Sequence, residues 1–328
     1  MTSSSDKIGS VYDLAQRTGY STSTISRVLN QRGRISAETR RRVLAAAREV
    51  GFRPRAAVRQ NTVAIVMDRL RYATYGGFVS SMMTHLISEL ARYDIAVEVY
   101  TEDNVERLGS RFIDGVLALS WDQTTIARLR SLENVPVVVI NRMDLDGFSV
   151  AASDHHQGGR LVGDYLLKCG HREIAFLAEE HDWGAQQRIE GVKAAMQAAG
   201  LDGESLRVAF TQHQPVYGAL RRVLDEDRTA LFLAGEDLTI EAMYILNAIF
   251  GIRVPDDLSV VGLENEKVSQ FVHPPLTSLA QPLDQLATET LKLIVKHIRE
   301  KQSKPAQSVV DNKLIQRESV RKLKPDTV

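Results

Sequence analysis

Cysteine is almost missing from this sequence. Cys169 is the single cysteine among 328 residues, so no internal disulfide can form. This scarcity excludes a small secreted scaffold held together by disulfides, and it fits a reducing compartment. We expect Cys169 to pack as a small apolar residue.

Long apolar runs are missing as well. No stretch approaches the ~20 apolar residues that a membrane-spanning helix needs. The opening segment, MTSSSDKIGS, has no apolar centre of the kind found in a secretory signal. We therefore expect a cytoplasmic protein with no membrane segment.

The motifs of common catalytic and cofactor sites are also absent. The sequence contains no nucleophile elbow, no phosphate-binding loop and no dinucleotide glycine pattern. His155, His156 and His171 are not spaced to place two imidazoles on one helical face, so we expect them to cap and pack rather than bind a metal. We predict no enzyme activity, no cofactor and no metal.

What the sequence does have is a divided charge. Lysine plus arginine and aspartate plus glutamate are equal in number, at 41 each. Residues 1–60, however, contain twelve basic and four acidic side chains, a net charge of +8, and the remainder carries −8. A basic end on an acidic body predicts that this end meets phosphate.

The basic end contains a pair of short helices joined by a tight turn. The segment VYDLAQRTGYSTSTISRVLN predicts a helix over residues 11–18, with Ser10 as its N-cap and Gly19 at its end. A second helix follows the N-cap Ser21, with apolar side chains at helical spacing. In a helix-turn-helix, the second helix places its first side chains on base edges in the major groove. These residues alone leave open an ordinary helical hairpin with a polar face.

A third helix, predicted over residues 37–50 and capped by Ser36, completes this end. STSTISRVLN followed by that helix resembles the N-terminal headpiece of the LacI/GalR family of bacterial transcription regulators. The resemblance implies that Thr22, Ser23 and Arg27 read bases. The other contacts expected with double-stranded DNA come from Tyr12, Ser21, Thr24, Ser26 and Asn30.

Residues 52–62, FRPRAAVRQNT, form a linker in which this sequence departs from that family. Most members have a longer segment, which folds into a hinge helix on DNA and inserts a leucine into the minor groove. Here the first strand begins several residues early and the linker has no leucine. Val58 is a weak candidate for the wedge, and we favour a plain tether.

From Val63 onward the chain alternates apolar strands with amphipathic helices. The predicted strands span 63–67, 96–100, 115–119, 137–140, 174–178, 206–210, 230–234 and 259–263. The predicted helices span 76–92, 124–132, 156–169, 186–199, 216–224, 238–250 and 283–300. Apolar strands followed by helices indicate parallel sheets covered on both faces. These strand–helix units are too many for one small sheet, so we expect two doubly wound subdomains. A ligand is then expected in the crevice at the carboxyl ends of their strands.

The segments SDHHQGGRLVGDYLLKCGHREIAFL and VPDDLSVVGLEN resemble the periplasmic-binding-protein-like core of the same family. The predicted fold is therefore an all-α helix-turn-helix headpiece plus an α/β core of two doubly wound parallel-sheet subdomains. The predicted parts are the headpiece, 1–51, the hinge, 52–62, and an effector-binding and dimerisation core, 63–328. Within that core we expect an N-subdomain of 63–150 and 276–305 and a C-subdomain of 151–275 and 306–328.

Polar side chains follow several predicted strands, where an open α/β sheet binds its ligand. Carboxylates and amides pair well with vicinal hydroxyls, so this set suits a sugar or sugar derivative. The resemblance implies effector contacts from Asp68, Asn141, Arg188, His213, Glu236, Glu264 and Gln281. Asp237 lies beside Glu236, and Tyr75 and Trp183 in cleft loops can cover the apolar face of a ring. Loop capping or surface charge remains open for each residue taken singly.

Two of these positions depart from the family pattern. Glu236 stands where asparagine is commoner, and His213 stands where a sugar-stacking aromatic is often found. We predict a homodimeric, sequence-specific regulator of transcription, a repressor, whose operator affinity depends on a small molecule. A sugar-sensing or solute-binding protein without operator specificity, or an enzyme acting in the cleft, are the alternatives.

Overall fold

The chain folds into a three-helix headpiece and two six-stranded sheets. A computed structural model describes residues 10–30, 34–50, 52, 61–68, 77–178, 183–211, 214–224, 227–264, 268–300 and 304–323. This architecture confirms the predicted fold class.

The headpiece helices are α1 Val11–Thr18, α2 Thr22–Leu29 and α3 Ala37–Glu49. Ser10 caps α1 through reciprocal hydrogen bonds with Asp13. Gly19 ends α1 with a φ of 75°, a left-handed conformation that glycine adopts without strain. Apolar side chains at helical spacing meet in one small cluster, formed by Leu14, Ile25, Val28, Val43, Leu44 and Ala47.

The first sheet belongs to the N-subdomain and has the order β11-β5-β4-β3-β1-β2, all parallel. Its strands are β1 Thr62–Met67, β2 Ala96–Thr101, β3 Gly115–Leu119, β4 Val137–Ile140, β5 Ser149–Ser153 and β11 Gln307–Val310. Its helices are α4 Phe78–Arg92, α5 Gln123–Arg130 and α10 Leu283–Arg299, with a 3-10 helix at Val105–Ser110. Successive side chains of a strand point to opposite faces. The odd-numbered residues of β1 therefore pack against α4 and α10, and the even-numbered ones face α5 and the 3-10 helix.

The second sheet belongs to the C-subdomain and has the order β12-β10-β9-β8-β6-β7, in which only β12 pairs antiparallel. Its strands are β6 Ile174–Ala178, β7 Arg207–Phe210, β8 Ala230–Ala234, β9 Ser259–Leu263, β10 Thr277–Ala280 and β12 Lys313–Ile315. Its helices are α6 His155–Lys168, α7 Trp183–Ala198, α8 Val216–Val223 and α9 Glu236–Tyr244, which continues as a π-helix over Ile245–Ile249. Helices α6 and α7 cover one face, and α8 and α9 cover the other.

Helices α6 and α7 cross with their backbones almost touching. A Cβ atom on Gly159 would lie 2.1 Å from the carbonyl oxygen of Arg188, and one on Gly191 would lie 2.1 Å from that of His156. No side chain fits at such distances, so both positions require glycine. Gly159, the second glycine of QGGR, therefore serves the packing of α6 on α7, and the crossing brings the start of α6 beside Arg188.

Five of the eight predicted strands have the predicted bounds, and the other three differ by one residue at one end. The prediction misses β5, β10, β11 and β12, because these strands are short or rich in small and polar residues. The chain consequently crosses between the sheets after Ser153, Ala280 and Val310, rather than near 150, 275 and 305. Residues 277–280 lie in the C-subdomain sheet and 307–310 lie in the N-subdomain sheet, which differs from the expected bounds.

Among the described residues, no helix combines the length and apolar character that crossing a membrane requires. Within the same part of the chain, no group of three histidine, cysteine, aspartate or glutamate side chains is arranged to hold a metal ion. The Cys169 side chain is buried at the end of α6, and the backbone carbonyl oxygen of Cys169 accepts from the N–H of Leu323 at 2.8 Å.

Candidate functional site

The exposed face of α2 carries the side chains expected to read bases. Thr22, Ser23 and Arg27 are exposed, as is Ser26, whereas Ile25 and Val28 on the opposite face are buried in the headpiece cluster. The helix is therefore amphipathic, with its polar face open to a groove. Hydroxyls and a guanidinium are groups that hydrogen-bond to base edges, the latter bidentately to guanine.

Other predicted DNA contacts are engaged in shaping this helix pair. The Ser21 hydroxyl accepts from the backbone N–H of Thr24 at 3.2 Å and lies 2.9 Å from the hydroxyls of Ser23 and Thr24. Asn30 Nδ2 donates to the carbonyl oxygen of Ser26 at 2.9 Å. These residues cap the two ends of α2, while keeping polar atoms at the surface.

Aromatic and cationic side chains complete the surface of the headpiece. Tyr12, near the start of α1, is 78% exposed and therefore open to a phosphate or sugar. Tyr20 is covered by Arg42, whose guanidinium carbon lies 5.6 Å from the ring centroid. Arg17, in the last turn of α1, pairs with Glu49 at 3.2 Å. The α2 face thus has polar and cationic neighbours, as a phosphate-facing surface requires.

The N-subdomain wall of the cleft is built around Asp68 at the end of β1. Its Oδ2 accepts from the Ser120 hydroxyl at 2.8 Å and from the backbone N–H groups of Trp121 and Asp122, both at 2.6 Å. Its Oδ1 is buried and has no hydrogen-bond partner among the described residues. Trp121 in turn stacks edge-on against Phe78 at 6.3 Å between centroids. One carboxylate oxygen at this wall is held in place and the other can accept a hydrogen bond.

Asn141 and Gln281 join two of the segments that connect the subdomains. Asn141 has a φ of 58° and its Nδ2 donates to Gln281 Oε1 at 2.8 Å. Its Oδ1 accepts from the backbone N–H of Ser153 at 2.8 Å, and the Ser153 hydroxyl donates to Gln281 Oε1 at 2.6 Å. These amides therefore bind each other, and they fix the crossing from β5 next to the crossing from β10.

The C-subdomain wall carries a cluster of the buried Arg188 and His155 and the partly buried Trp183. Arg188 is 7% exposed, and its Nη2 lies 3.2 Å from His155 Nδ1. The imidazole packs edge-on against Trp183 at 5.4 Å between ring centroids. Burial, followed by the Arg188 charge, lowers the pKa of His155 well below its ordinary value, while a hydrogen bond with the Asn141 backbone opposes this. A neutral imidazole thus accepts from Arg188.

The sequence prediction overlooks His155 as a neighbour of the predicted effector residues. The sequence predicts only capping and packing for the histidines, yet the ring of His155 contacts two of the predicted effector residues. The signal lies in Gly159, four residues later, because the close helix crossing at this glycine places the start of α6 against Arg188. Reading that signal requires knowing which helix α6 crosses.

Glu264 follows β9 as predicted, but its carboxylate is engaged inside the C-subdomain. Arg317 donates from Nη1 to Oε2 and from Nη2 to Oε1, both at 2.8 Å, and the Ser278 hydroxyl donates as well. Burial would raise the pKa of Glu264, but these hydrogen bonds outweigh it and hold the pKa below its ordinary value. Both oxygens of the carboxylate therefore already have strong donors, and Arg317 is a second residue that the prediction misses.

The remaining predicted positions are less fully described. Glu236 and Asp237 begin α9 directly after β8, at the sheet edge expected for a ligand site, and their side chains lie outside the description. Tyr75, His213 and Val58, with the linker around it, also lie outside the described residues.

Comparison with known proteins matches two separate parts of the chain to family models. The family model of bacterial regulatory proteins of the lacI family matches residues 10–55. The model of the periplasmic binding protein-like domain matches residues 164–320. The HTH-type transcriptional regulator CelR of Thermobifida fusca is 30% identical over 331 residues, which cover 93% of this chain and 96% of CelR.

This chain belongs to the lacI family of bacterial regulatory proteins. A solved complex of the transcriptional regulator CelR with cellobiose superposes on the lacI-family chain with a TM-score of 0.70 at 27% identity, covering 95% of it and 99% of CelR. A Lac repressor dimer bound to operator and the anti-inducer ONPF shares the fold, with a TM-score of 0.68 at 23% identity and coverage of 96% and 100%. The protein is thus a DNA-binding transcription regulator with a receptor core, as the sequence predicts.

Proposed function

We propose that this regulator, as a repressor, binds a sugar or sugar derivative between its core subdomains, and that the sugar controls its affinity for an operator. The observation that carries the proposal is the pairing of two polar walls at the carboxyl ends of the sheets. One wall offers Asp68 Oδ1, a buried carboxylate oxygen to which no described residue donates, and the other offers the cluster of Arg188, His155 and Trp183.

The chemistry of the walls favours a polyhydroxylated ring. Asp68 Oδ1 accepts from a hydroxyl, the Arg188 guanidinium donates to a hydroxyl or ring oxygen, and the Trp183 ring covers an apolar sugar face. The CelR relative was solved with cellobiose, which makes a glucoside a reasonable first probe. Glu264 contributes through Arg317 rather than as a free acceptor. The other residues of the proposed site are Asn141, Gln281, Glu236, Asp237, Tyr75 and His213.

On the DNA side, the proposed base-reading residues are Thr22, Ser23, Ser26 and Arg27, with backbone contacts from Tyr12, Ser21, Thr24 and Asn30. Two headpieces in a homodimer would occupy the two halves of a roughly palindromic operator. Because its target is chromosomal, we place its action in the cytoplasm, and we assign it no catalytic activity.

An exposed apolar patch on the C-subdomain supports the homodimer. Phe271 is 78% exposed, Tyr244 is 64% exposed and Ile249 is 52% exposed. Asn247 Nδ2 lies 3.5 Å from the His273 carbonyl oxygen, which places the π-helix beside the Phe271 loop. Contiguous exposed apolar surface of this kind marks an interaction site. We propose that a second copy of the chain covers it.

A thermal-shift screen tests the proposed effector. A ligand that binds only the folded state raises the melting temperature by mass action. We expect at least one compound among disaccharides such as cellobiose, sugar phosphates and uronates to do so, and to change the affinity for operator DNA. If none stabilises the wild-type protein more than it stabilises Arg188→Ala, the cleft assignment is wrong, although the DNA-binding role is unaffected.

A salt titration tests the DNA side separately. Neutralising phosphates releases counterions, so affinity for duplex DNA should fall steeply as salt rises. DNA binding whose affinity does not change with salt would contradict the proposal that the basic headpiece contacts DNA phosphates. The two assays fail independently, because one reports the cleft and the other the headpiece.

A further inference from the structure

The headpiece contacts the core directly, through the segment 105–112 of the N-subdomain. Arg48 of α3 donates from Nη2 to the backbone carbonyl oxygen of Arg111 at 2.7 Å. Phe112, a residue of the N-subdomain, packs against the apolar cluster of the headpiece. A Cβ atom on Gly109 would lie 3.7 Å from Arg41 Nε and 3.8 Å from Arg41 Cγ. The contact thus combines a charged hydrogen bond, an aromatic side chain and close van der Waals packing.

The segment 105–112 is firmly part of the N-subdomain. Val105 and Leu108 are buried in the cluster beneath the first sheet. Just beyond it, the Asp114 carboxylate accepts from the backbone N–H of Thr62 at 2.8 Å, which ties this region to the first residue of β1. The headpiece is therefore attached beside the point at which the linker enters the core.

Arg48 is buried far more than a surface arginine. Burial lowers its pKa, and the negative charge of Asp114 acts in the opposite direction. Its Nε is buried with no hydrogen-bond partner among the described residues. Partial burial of a guanidinium costs free energy, and the packing between headpiece and core offsets this cost.

The contact leaves the DNA-facing surface free. It uses the arginines of α3 and the headpiece cluster, whereas Thr22, Ser23 and Arg27 on α2 stay exposed. Docking is therefore compatible with insertion of α2 into a groove. The linker that joins the two bodies is short and has no leucine, so the usual minor-groove wedge is not available to orient the headpiece.

We propose that the segment 105–112 is a docking surface for the headpiece of the same chain, and that this contact sets the orientation of α2 toward DNA. The N-subdomain then carries the headpiece as a rigid attachment. Any rotation of that subdomain moves α2 directly, without a folded hinge. The proposal does not depend on which effector occupies the cleft.

A disulfide across the contact tests the arrangement. Arg41→Cys combined with Gly109→Cys places one thiol on each side of the contact, where a Cβ atom on Gly109 would lie 3.8 Å from Arg41 Cγ. A disulfide needs Cβ atoms about 3.5–4.5 Å apart, so a small approach of the two backbones closes the bond. The native Cys169 is buried and does not compete. Arg17→Cys with Gly109→Cys is the control, since Arg17 is half exposed on α1 and pairs with Glu49. We expect rapid intrachain cross-linking of the test pair alone, measured by mass spectrometry.

The same variant then provides its own control for DNA binding. The probe is the duplex that the wild-type chain selects from a random library. We expect the oxidised form to bind it within about threefold of the reduced form, because the cross-link preserves a preorganised orientation. Failure to cross-link above the control pair overturns the proposal. So does a tenfold or greater loss of binding on oxidation that dithiothreitol reverses, because the docked arrangement would then exclude DNA.

A substitution on the core side tests whether the contact matters in the unmodified headpiece. Phe112→Ala leaves residues 1–60 intact but removes the partly buried aromatic side chain at the contact. Tyr93→Ala, the control, removes a half-exposed aromatic side chain elsewhere in the same subdomain. We expect Phe112→Ala to weaken binding to the selected duplex about fivefold or more through lost preorganisation, and Tyr93→Ala to leave it unchanged. Equal affinities for Phe112→Ala and wild type would overturn the proposal.

Discussion

The headpiece and the cleft treat their polar side chains in opposite ways. On α2, Thr22, Ser23 and Arg27 project into solvent from a helix whose other face is buried. In the cleft, Asn141 is bound to Gln281, and Glu264 is bound to Arg317. Surface recognition can therefore change with little effect on folding, whereas each change in the cleft disturbs a network that also holds the core.

The largest expected effect comes from breaking the Glu264–Arg317 pair. Arg317→Ala leaves the Glu264 carboxylate with one of its two strong donors gone, and the two side chains are only 6% and 18% exposed. Breaking a buried ion pair from one side costs about 3–5 kcal/mol of unfolding free energy. Denaturant unfolding should show this loss. A variant as stable as wild type would mean that the pair lies in solvent.

Arg188→Ala should abolish the response to the effector and also lower stability. It removes the donor that faces His155, leaving a cavity in a buried cluster, and truncation of a well-packed side chain of this kind costs about 2–3 kcal/mol. Arg160→Ala, at an exposed position on α6, is the control. The measurement is operator binding with and without the sugar that raises the melting temperature most. A retained response would remove Arg188 from the site.

Arg27→Ala should lose discrimination between operator and random DNA by about 1–3 kcal/mol, which is the value of one good base contact. Its stability should stay within about 0.5 kcal/mol of wild type, because the side chain is exposed. Arg17→Ala, on α1 rather than α2, should keep the discrimination. If Arg27→Ala discriminates operator from random DNA as strongly as wild type does, the base-reading assignment fails. If Arg27→Ala lowers the free energy of unfolding by more than about 0.5 kcal/mol, the exposed side chains of the headpiece also support folding, and the contrast with the cleft fails.

A smaller effect should appear in acid. Burial lowers the pKa of His155, and it lowers the pKa of His171 and His297 in the same way. The unfolded chain then binds more protons than the folded chain once the pH falls below about 6.5, so stability decreases from there downward.

His155→Gln sharpens this test, because an amide oxygen can still accept from Arg188 but does not titrate. Melting temperatures at about pH 7.5 and 5.5 should differ less in His155→Gln than in wild type. Equal differences would mean that the His155 ring is not the neutral, buried group described above.

Caps, turn residues and the spacing of apolar residues predict the parts of the fold that depend on local sequence. Two helices and the turn between them are predicted by the caps Ser10 and Ser21, the turn at Gly19 and the apolar spacing of Ile25 and Val28. Continuous apolar strands such as 174–178 and 230–234 are predicted with their bounds for the same reason. Each of these signals is contained in a few neighbouring residues.

Pairing between distant residues is what the sequence does not reveal. Strand β12 is three residues long and is stabilised by its neighbour β10 rather than by its own propensity. Arg317 lies 53 residues from Glu264, and Arg188 lies 33 residues from His155. No local pattern marks such partners. The sequence therefore predicts that several cleft residues each contact the effector, whereas the structure shows their side chains hydrogen-bonded to other residues of the protein.

The glycine crossing of α6 and α7 also limits how this receptor can evolve. Since neither Gly159 nor Gly191 tolerates a side chain, the backbone beneath Arg188 and His155 cannot be reshaped by small mutational steps. New ligand preferences must instead arise at the rim, where residues such as Trp183 begin helices and end loops. Sequence changes that alter ligand preference should therefore occur around the α6–α7 crossing, whose backbone stays unchanged.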